Sequence, residues 1–154
     1  MKRFLALTIA LLLLLAGCGG SDAPAAPVDL EQLYDSFVPT LPEMLVLDRD
    51  MMLNYCGVDA DLCVQAVVAV CADSLRADEI WLLEAADASA LKTLKAAADE
   101  RLNTKAEESE SYSPEQYAVV QDAQVITAGN YLVVIVSPDA PALAELFRQA
   151  AWPE

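Results

Sequence analysis

The stretch QVITAGNYLVVIVS, residues 124–137, decides the fold because it holds the clearest turn between two β-forming segments. β-branched and aromatic side chains dominate residues 124–127 and 131–137, and such side chains favour strands over helices. Between these segments lie Ala128-Gly129-Asn130, where Gly129 tolerates the positive φ of a tight reversal. The stretch therefore predicts an antiparallel β-hairpin.

A second hairpin is predicted earlier in the chain. The sequence LCVQAVVAVCA, residues 62–72, is nearly all apolar and rich in valine. This composition favours a strand covered on both faces, although its alanines leave a helix as the alternative. Asp73-Ser74 is typical of a turn, and residues 80–83 follow as the returning strand. Two hairpins separated by helices predict an α+β domain with a four-stranded, largely antiparallel sheet.

Helical segments surround the hairpins, and the sheet is expected to pack against about four to five of them. Apolar residues at helical spacing and residues that cap helix ends define each segment. The predicted helices are residues 28–37; a short helix that Asp48 caps and Gly57 ends; a long helix after Asp87; a helix from Pro114 to about Gln121, preceded by Ser113; and a final helix opened by Asp139 and Pro141. Residues 28–154 are expected to form a single domain.

The beginning of the chain is typical of an export signal. Lys2 and Arg3 precede a short apolar segment, residues 4–16, below the roughly 18 to 20 residues of a membrane-spanning helix. This segment runs into Leu15-Ala16-Gly17-Cys18, which resembles the lipobox of bacterial lipoproteins. The resemblance implies that residues 1–17 are a signal peptide and that acyl chains such as palmitate are attached to Cys18. The alternatives are an uncut membrane anchor with an incidental cysteine, or an ordinary secretory leader.

Residues 18–27 are predicted to be a flexible tether between the lipid and the domain. Small residues and two prolines make up this segment, and it carries no large apolar side chain. Such a segment stays extended where it is rich in proline. Two or more acyl chains anchor a protein stably, whereas one chain holds it only marginally.

The charge of the chain disfavours polyanionic partners. The formal net charge is −15, and removal of Lys2 and Arg3 with the signal peptide would make it −17. Phosphate backbones and anionic lipid headgroups repel such a domain. Nucleic acid is therefore not expected as a partner.

Three further cysteines, Cys56, Cys63 and Cys71, lie in the body of the chain. Their spacing is not that of a zinc site, and the chain has no histidine. Free, apolar cysteines are favoured, with a Cys56–Cys63 disulfide as the alternative. Cys71 is predicted to be buried and unpaired, because about 26 Å of extended strand would separate it from Cys63.

Several short patterns suggest chemistry, but each has a simpler structural interpretation. The alternating pairs Asp48/Asp50 and Asp59/Asp61 lack the glycine and further oxygen ligands of a calcium loop, so helix caps and turns are favoured. Without histidine there is no Ser-His triad, and no glycine-rich phosphate loop is present.

An aromatic recognition surface is a further alternative. Tyr112, Tyr117 and Tyr131 with Asn130 would form it, although ordinary packing of half-buried tyrosines is favoured.

Four segments of the body resemble a family of small bacterial lipoproteins known only as domain of unknown function 4358. These segments are YCGVDADL at 55–62, ADEIWLLEA at 77–85, YSPEQY at 112–117 and GNYLVVIVS at 129–137. Cys56 and Cys63 are not expected from the pattern of the family, so a disulfide between them would be peculiar to this protein. The resemblance implies no activity.

These observations together predict a non-enzymatic binding or scaffold module. It would be anchored to the cell membrane through Cys18, face outside the cytoplasm, and bind an envelope protein or a small ligand. No metal or cofactor is expected. The alternative is a carboxylate-based hydrolase of envelope polymer, which requires two acids in one cleft, at least one of them with a raised pKa.

Overall fold

The structure is a computed structural model that describes residues 22–154, so residues 1–21, including Cys18, lie outside the described range. The helices are α1 (Leu30–Phe37), α2 (Arg49–Met51), α3 (Ala88–Tyr112), α4 (Pro114–Gln121) and α5 (Ala140–Ala151). The strands are β1 (Met44–Val46), β2 (Cys63–Cys71), β3 (Glu79–Ala85), β4 (Gln124–Ala128) and β5 (Tyr131–Val136). A π-helical turn over Met52–Cys56 and a 3₁₀ turn over Ala60–Leu62 connect α2 to β2.

All five strands form one antiparallel sheet in the order β1-β2-β3-β5-β4. The two predicted hairpins, β2–β3 and β4–β5, are joined through the pairing of β3 with β5, where Trp81 lies opposite Val134. The α+β class, the antiparallel pairing and the five helices of the described range agree with the expectations from the sequence.

The predicted count of four strands is wrong by one, because β1 adds a short edge strand beside β2. Val46 lies opposite Ala69 in this pairing. Three residues are too few to show the alternation that identifies a strand, and Pro39 and Pro42 just before them indicate a loop. β1 pairs with the distant end of β2, where Met44 lies opposite Cys71, so no tight turn joins the two paired segments and no local pattern predicts the pairing.

Alternating side chains of the sheet are buried on both of its faces. Ile80 and Leu82 of β3 pack on the side covered by α1 and α5, whereas Trp81 and Leu83 pack on the side covered by α3 and α4. A strand buried on both sides needs an apolar side chain at nearly every position. Residues Cys63–Cys71 form a strand and not a helix, as predicted, but only Val67–Ala69 at its middle are buried, and Val64 is 65% exposed, so the strand is not covered on both faces along its length.

The turn of the β4–β5 hairpin is shorter than predicted. Ala128 pairs with Tyr131, so only Gly129 and Asn130 connect the two strands. Gly129 has a φ of +55°, and Asn130 has no positive φ. Glycine at the first of two turn residues is the pattern of a type II′ hairpin turn, whose twist matches that of the strands.

Polar side chains cap the starts of α3 and α4 as expected, whereas the Asp139 side chain makes no cap hydrogen bond at the start of α5. Asp87 accepts a hydrogen bond from the backbone N–H of Ala90 at 2.8 Å, and Ser113 caps α4 in the same way. At α1 the cap is Asp29, so this helix begins at Leu30 and not at Val28. No helix within residues 22–154 combines the length and apolar character needed to cross a membrane.

Candidate functional site

The paired aspartates act as caps, as the sequence predicts. The Asp48 side chain accepts from the backbone N–H of Met51, and that of Asp59 accepts from the N–H of Asp61, both at 2.9 Å. Asp61 also forms an ion pair with Arg49. Within the described range, no three side chains of the types His, Cys, Asp and Glu gather as a metal site would require.

The tyrosines do not form one recognition surface. Tyr131 is buried on the α1/α5 side of the sheet, where its hydroxyl accepts a hydrogen bond from the backbone N–H of Val28 at 3.1 Å. Tyr112 and Tyr117 belong to α3 and α4, which cover the opposite side. Tyr131 therefore has a packing role, which is the interpretation that the sequence favours.

Cys56, Cys63 and Cys71 are all free thiols. Cys56 is buried, whereas Cys63 and Cys71 are half-buried. The prediction that Cys71 is unpaired is therefore confirmed, and the prediction that it is buried is wrong. Cys71 is the last residue of β2, opposite the first residue of the short edge strand, and less of the fold covers it there. Burial raises the pKa of Cys56 to about 12, and the charge of Glu79 adds to this rise.

A buried charge cluster lies beneath α3, at the beginning of β3. Glu79 is only 1% exposed. Its carboxylate accepts hydrogen bonds from Trp81 Nε1 at 2.8 Å and from Arg101 Nη2 at 2.8 Å, and Lys105 Nζ lies 3.0 Å away. The Cys56 thiol completes the surroundings at 3.8 Å. The Glu79 carboxylate is thus in contact with two cations and two neutral side chains.

The cations decide the protonation of Glu79. Burial alone would raise the pKa of this carboxyl, because a low-dielectric interior disfavours the charged form. Hydrogen bonds from Arg101 and the charges of Lys105 and Arg101 outweigh burial and hold the pKa of Glu79 below its usual value. The carboxylate therefore stays ionised at neutral pH.

Above this cluster, a cleft of about 280 Å³ separates the π-helical turn from α3. The α3 side of the cleft consists of Ala97, Glu100, Arg101 and Thr104, which share one helix face. The opposite wall is formed by residues 53–57, of which Tyr55 is 63% exposed. π-helical turns occur frequently at functional sites.

The cleft offers three kinds of contact to a small ligand. Arg101 brings donors at its base, Glu100 brings a carboxylate, and Leu53 and Tyr55 bring apolar area. A wider depression of about 640 Å³ lies between α4 and the segment 137–141, but no basic residue lines it. The smaller cleft therefore carries the more varied chemistry.

The charge cluster and the cleft are not among the sites that the sequence predicts. The predicted strand, residues 80–83, begins one residue after Glu79 and so leaves out the acidic residue that the fold buries. Two signals were available: a glutamate adjoining the apolar run IWLL, and two cations, Arg101 and Lys105, one turn apart on a helix. Neither signal shows by itself that these groups meet.

A further feature lies at the other end of β3, where residues 23–27 dock on the domain; we call this segment the strap. The N–H of Ala25 donates to the carbonyl oxygen of Ala151 at 2.8 Å, and Trp152 Nε1 donates to the carbonyl oxygen of Ala23 at 3.2 Å. A Cβ built on Gly129 would lie 3.1 Å from Ala23 Cβ. The last five residues of the predicted tether are thus held against the fold.

Comparison with known proteins identifies one family. No curated protein and no solved structure shows significant similarity to the chain. The family described as Domain of unknown function (DUF4358) matches residues 39–137, more than half of the chain. The match runs from just before β1 to just after β5 and so includes Glu79, Arg101 and the cleft. The chain therefore belongs to the DUF4358 family, a family of unknown function.

Proposed function

We propose that the protein is a lipid-anchored module outside the cytoplasmic membrane that binds a small ligand or an envelope protein and catalyses no reaction. The cleft between the π-helical turn and α3 is its binding surface, and the acyl chains on Cys18 are its anchor. Since the chain is strongly acidic, nucleic acid is not among its partners.

The observation that best supports a binding role is that Glu79 is buried and paired with two cations. General acid–base catalysis needs a group whose pKa lies near the working pH and which can reach a substrate. Glu79 has the opposite properties, because it is buried, ion-paired to Arg101 and Lys105, and has a lowered pKa. The cluster instead fixes the Arg101 side chain at the base of the cleft, as recognition of a ligand requires.

The alternative function, a carboxylate-based hydrolase of envelope polymer, has less support. Besides Glu79, the described residues contain one other buried acid, Asp78. The Arg76 side chain donates two hydrogen bonds to its carboxylate, at 2.9 and 3.2 Å. Both deeply buried acids are therefore engaged by cations. Of the remaining acids, Glu100 is the one that lines the cleft, and it is exposed.

The anchor is supported by the lipobox and by the short length of chain between Cys18 and Ala23, the first residue that is hydrogen-bonded to the domain. The strap starts at Ala23, five residues after Cys18, and the domain follows at once. A short connection of this kind is compatible with a domain held near the lipid.

A thermal-shift screen tests the binding role. The detergent-extracted, full-length protein is heated with amino acids, dicarboxylates and sugars, because a ligand that binds only the folded state raises Tm. We expect at least one class to raise Tm, and the variant Tyr55→Ala to abolish this rise. Tyr112→Ala is the matched control, since Tyr112 is similarly exposed at 54% but lies away from the cleft.

The same preparation tests the hydrolase alternative. A panel of peptidoglycan and glycoside substrates is expected to give no turnover. Turnover that Glu100→Gln abolishes would replace the binding role with the enzymatic one.

A further inference from the structure

The strap, the β4–β5 turn and the end of α5 form one continuous surface. The backbone bond from Ala25 to Ala151 and the side-chain bond from Trp152 to Ala23 join the strap to α5. The close approach of Ala23 to Gly129 joins it to the β4–β5 turn. We call these residues, 23–27 with Gly129, Asn130 and Trp152, the strap surface.

Chain length places the strap surface close to Cys18. Ala23 is five residues after Cys18, and a fully extended chain over these five steps spans at most about 18 Å. Because the strap is hydrogen-bonded to the fold, residues 23–27 cannot lengthen this connection. Any lipid on Cys18 thus holds this end of the domain near the bilayer.

The composition of the strap surface differs from that of the rest of the protein. Residues 23–27, Gly129 and Asn130 carry no charge, in a chain whose net charge is −15. Trp152 is 37% exposed and packs edge-on against Phe147, with ring centroids 6.2 Å apart. Tryptophan is enriched at membrane interfaces, where its ring meets apolar chains, and the N–H of Trp152 is itself satisfied by the carbonyl oxygen of Ala23. Acidic side chains border this uncharged surface: half-buried Glu84 lines the same depression as residues 23–27, and Glu145 and Glu154 lie beside Trp152.

The cleft and the β2–β3 turn lie away from this surface. β3 runs from Glu79 to Ala85, which adjoins the β4–β5 turn, so roughly 20 Å of strand separates the charge cluster from the strap end. The cleft residues of α3 begin nine residues after its start, about 14 Å along the helix from the strap end. Leu75, in the turn before Glu79, is 71% exposed at the far end of the sheet.

We infer that the strap surface rests on the lipid bilayer and directs the cleft away from it. This orientation rests on the proposed lipid anchor at Cys18. The strap acts as a docked connector that fixes which end of the domain meets the membrane.

Tryptophan quenching measures this orientation. The acylated, full-length protein is reconstituted in phosphatidylcholine vesicles, with and without a nitroxide on the lipid headgroup. Trp152 reports the strap surface, and Trp81, the other tryptophan, is fully buried and gives a constant background. The matched control is Trp152→Phe combined with Leu75→Trp, which moves the exposed indole to the far end. Thermal unfolding of both proteins checks that the fold is retained.

We expect the nitroxide to quench the exposed indole of the parent at least about threefold more strongly than that of the control. Equal quenching, or stronger quenching of the Leu75→Trp control, in protein that floats with the vesicles would overturn the orientation and leave the anchor intact. Protein that does not float with the vesicles would overturn the anchor and the orientation together.

Discussion

At the residue scale, Glu79 links the packing of the domain to its charge. The carboxylate lies where β3 meets α3, and Arg101 and Lys105 both reach it from one face of the helix. Trp81, its neighbour on the same side of the sheet, donates its ring N–H to it. The side chain therefore ties the central strand to the helix that forms one wall of the cleft.

The variant Glu79→Gln is expected to lower the free energy of unfolding by about 3 kcal/mol, because two largely buried cations lose their counter-charge. Urea unfolding measures this change. Glu100→Gln, one residue before Arg101 on the exposed part of the helix, should change stability by no more than about 0.5 kcal/mol. Equal effects of the two substitutions would contradict the role assigned to Glu79.

The same carboxylate predicts a dependence on pH. Because the folded state lowers the pKa of Glu79, its contribution is fully present above the unfolded pKa, near 4.5, and is lost as pH falls through the folded pKa. The stability difference between the parent and Glu79→Gln should thus be constant above about pH 5 and shrink below about pH 4.5. A difference that grows on acidification would show that the sign is wrong.

At the scale of elements, the β4–β5 hairpin depends on Gly129. Its φ of +55° is strained for other residues, and a Cβ there would lie 3.1 Å from Ala23 Cβ. Gly129→Val should therefore lower the free energy of unfolding by roughly 1 to 3 kcal/mol, and Gly129→Ala by less. Asn130→Ala, at the neighbouring exposed position, is the control and should have little effect. Urea midpoints that are the same for Gly129→Val and the parent would contradict the turn assignment.

Elements with a local signal could be predicted from the sequence, whereas elements defined by distant contacts could not. Gly129, Asp87 and Ser113 act through neighbours within a few residues, so their turn and caps were predicted. The edge strand β1 and the pairing of Glu79 with Arg101 depend on segments that meet only in the folded chain. The same reason explains why the candidate cleft was missed, since its two walls come from separate elements.

At the scale of the whole molecule, the family match covers the helices on one side of the sheet but not those on the other. The match to DUF4358 includes α2, α3 and α4, which lie on the side of the cleft, but it leaves out the strap, α1 and α5. The proposed binding surface thus belongs to the matched region, and the proposed membrane-facing surface is formed largely by segments outside it. This division agrees with one domain that binds at one place and is anchored at another.

The central claim is the lipid anchor, and metabolic labelling with a fatty acid tests it most directly. Cells that express the full-length protein or the variant Cys18→Ser are labelled, and the protein is recovered from membrane and soluble fractions. We expect the parent to carry the label and to require detergent for extraction. The Cys18→Ser protein should carry no label and appear in soluble or unprocessed form. Label on the Cys18→Ser protein equal to that on the parent would contradict the claim.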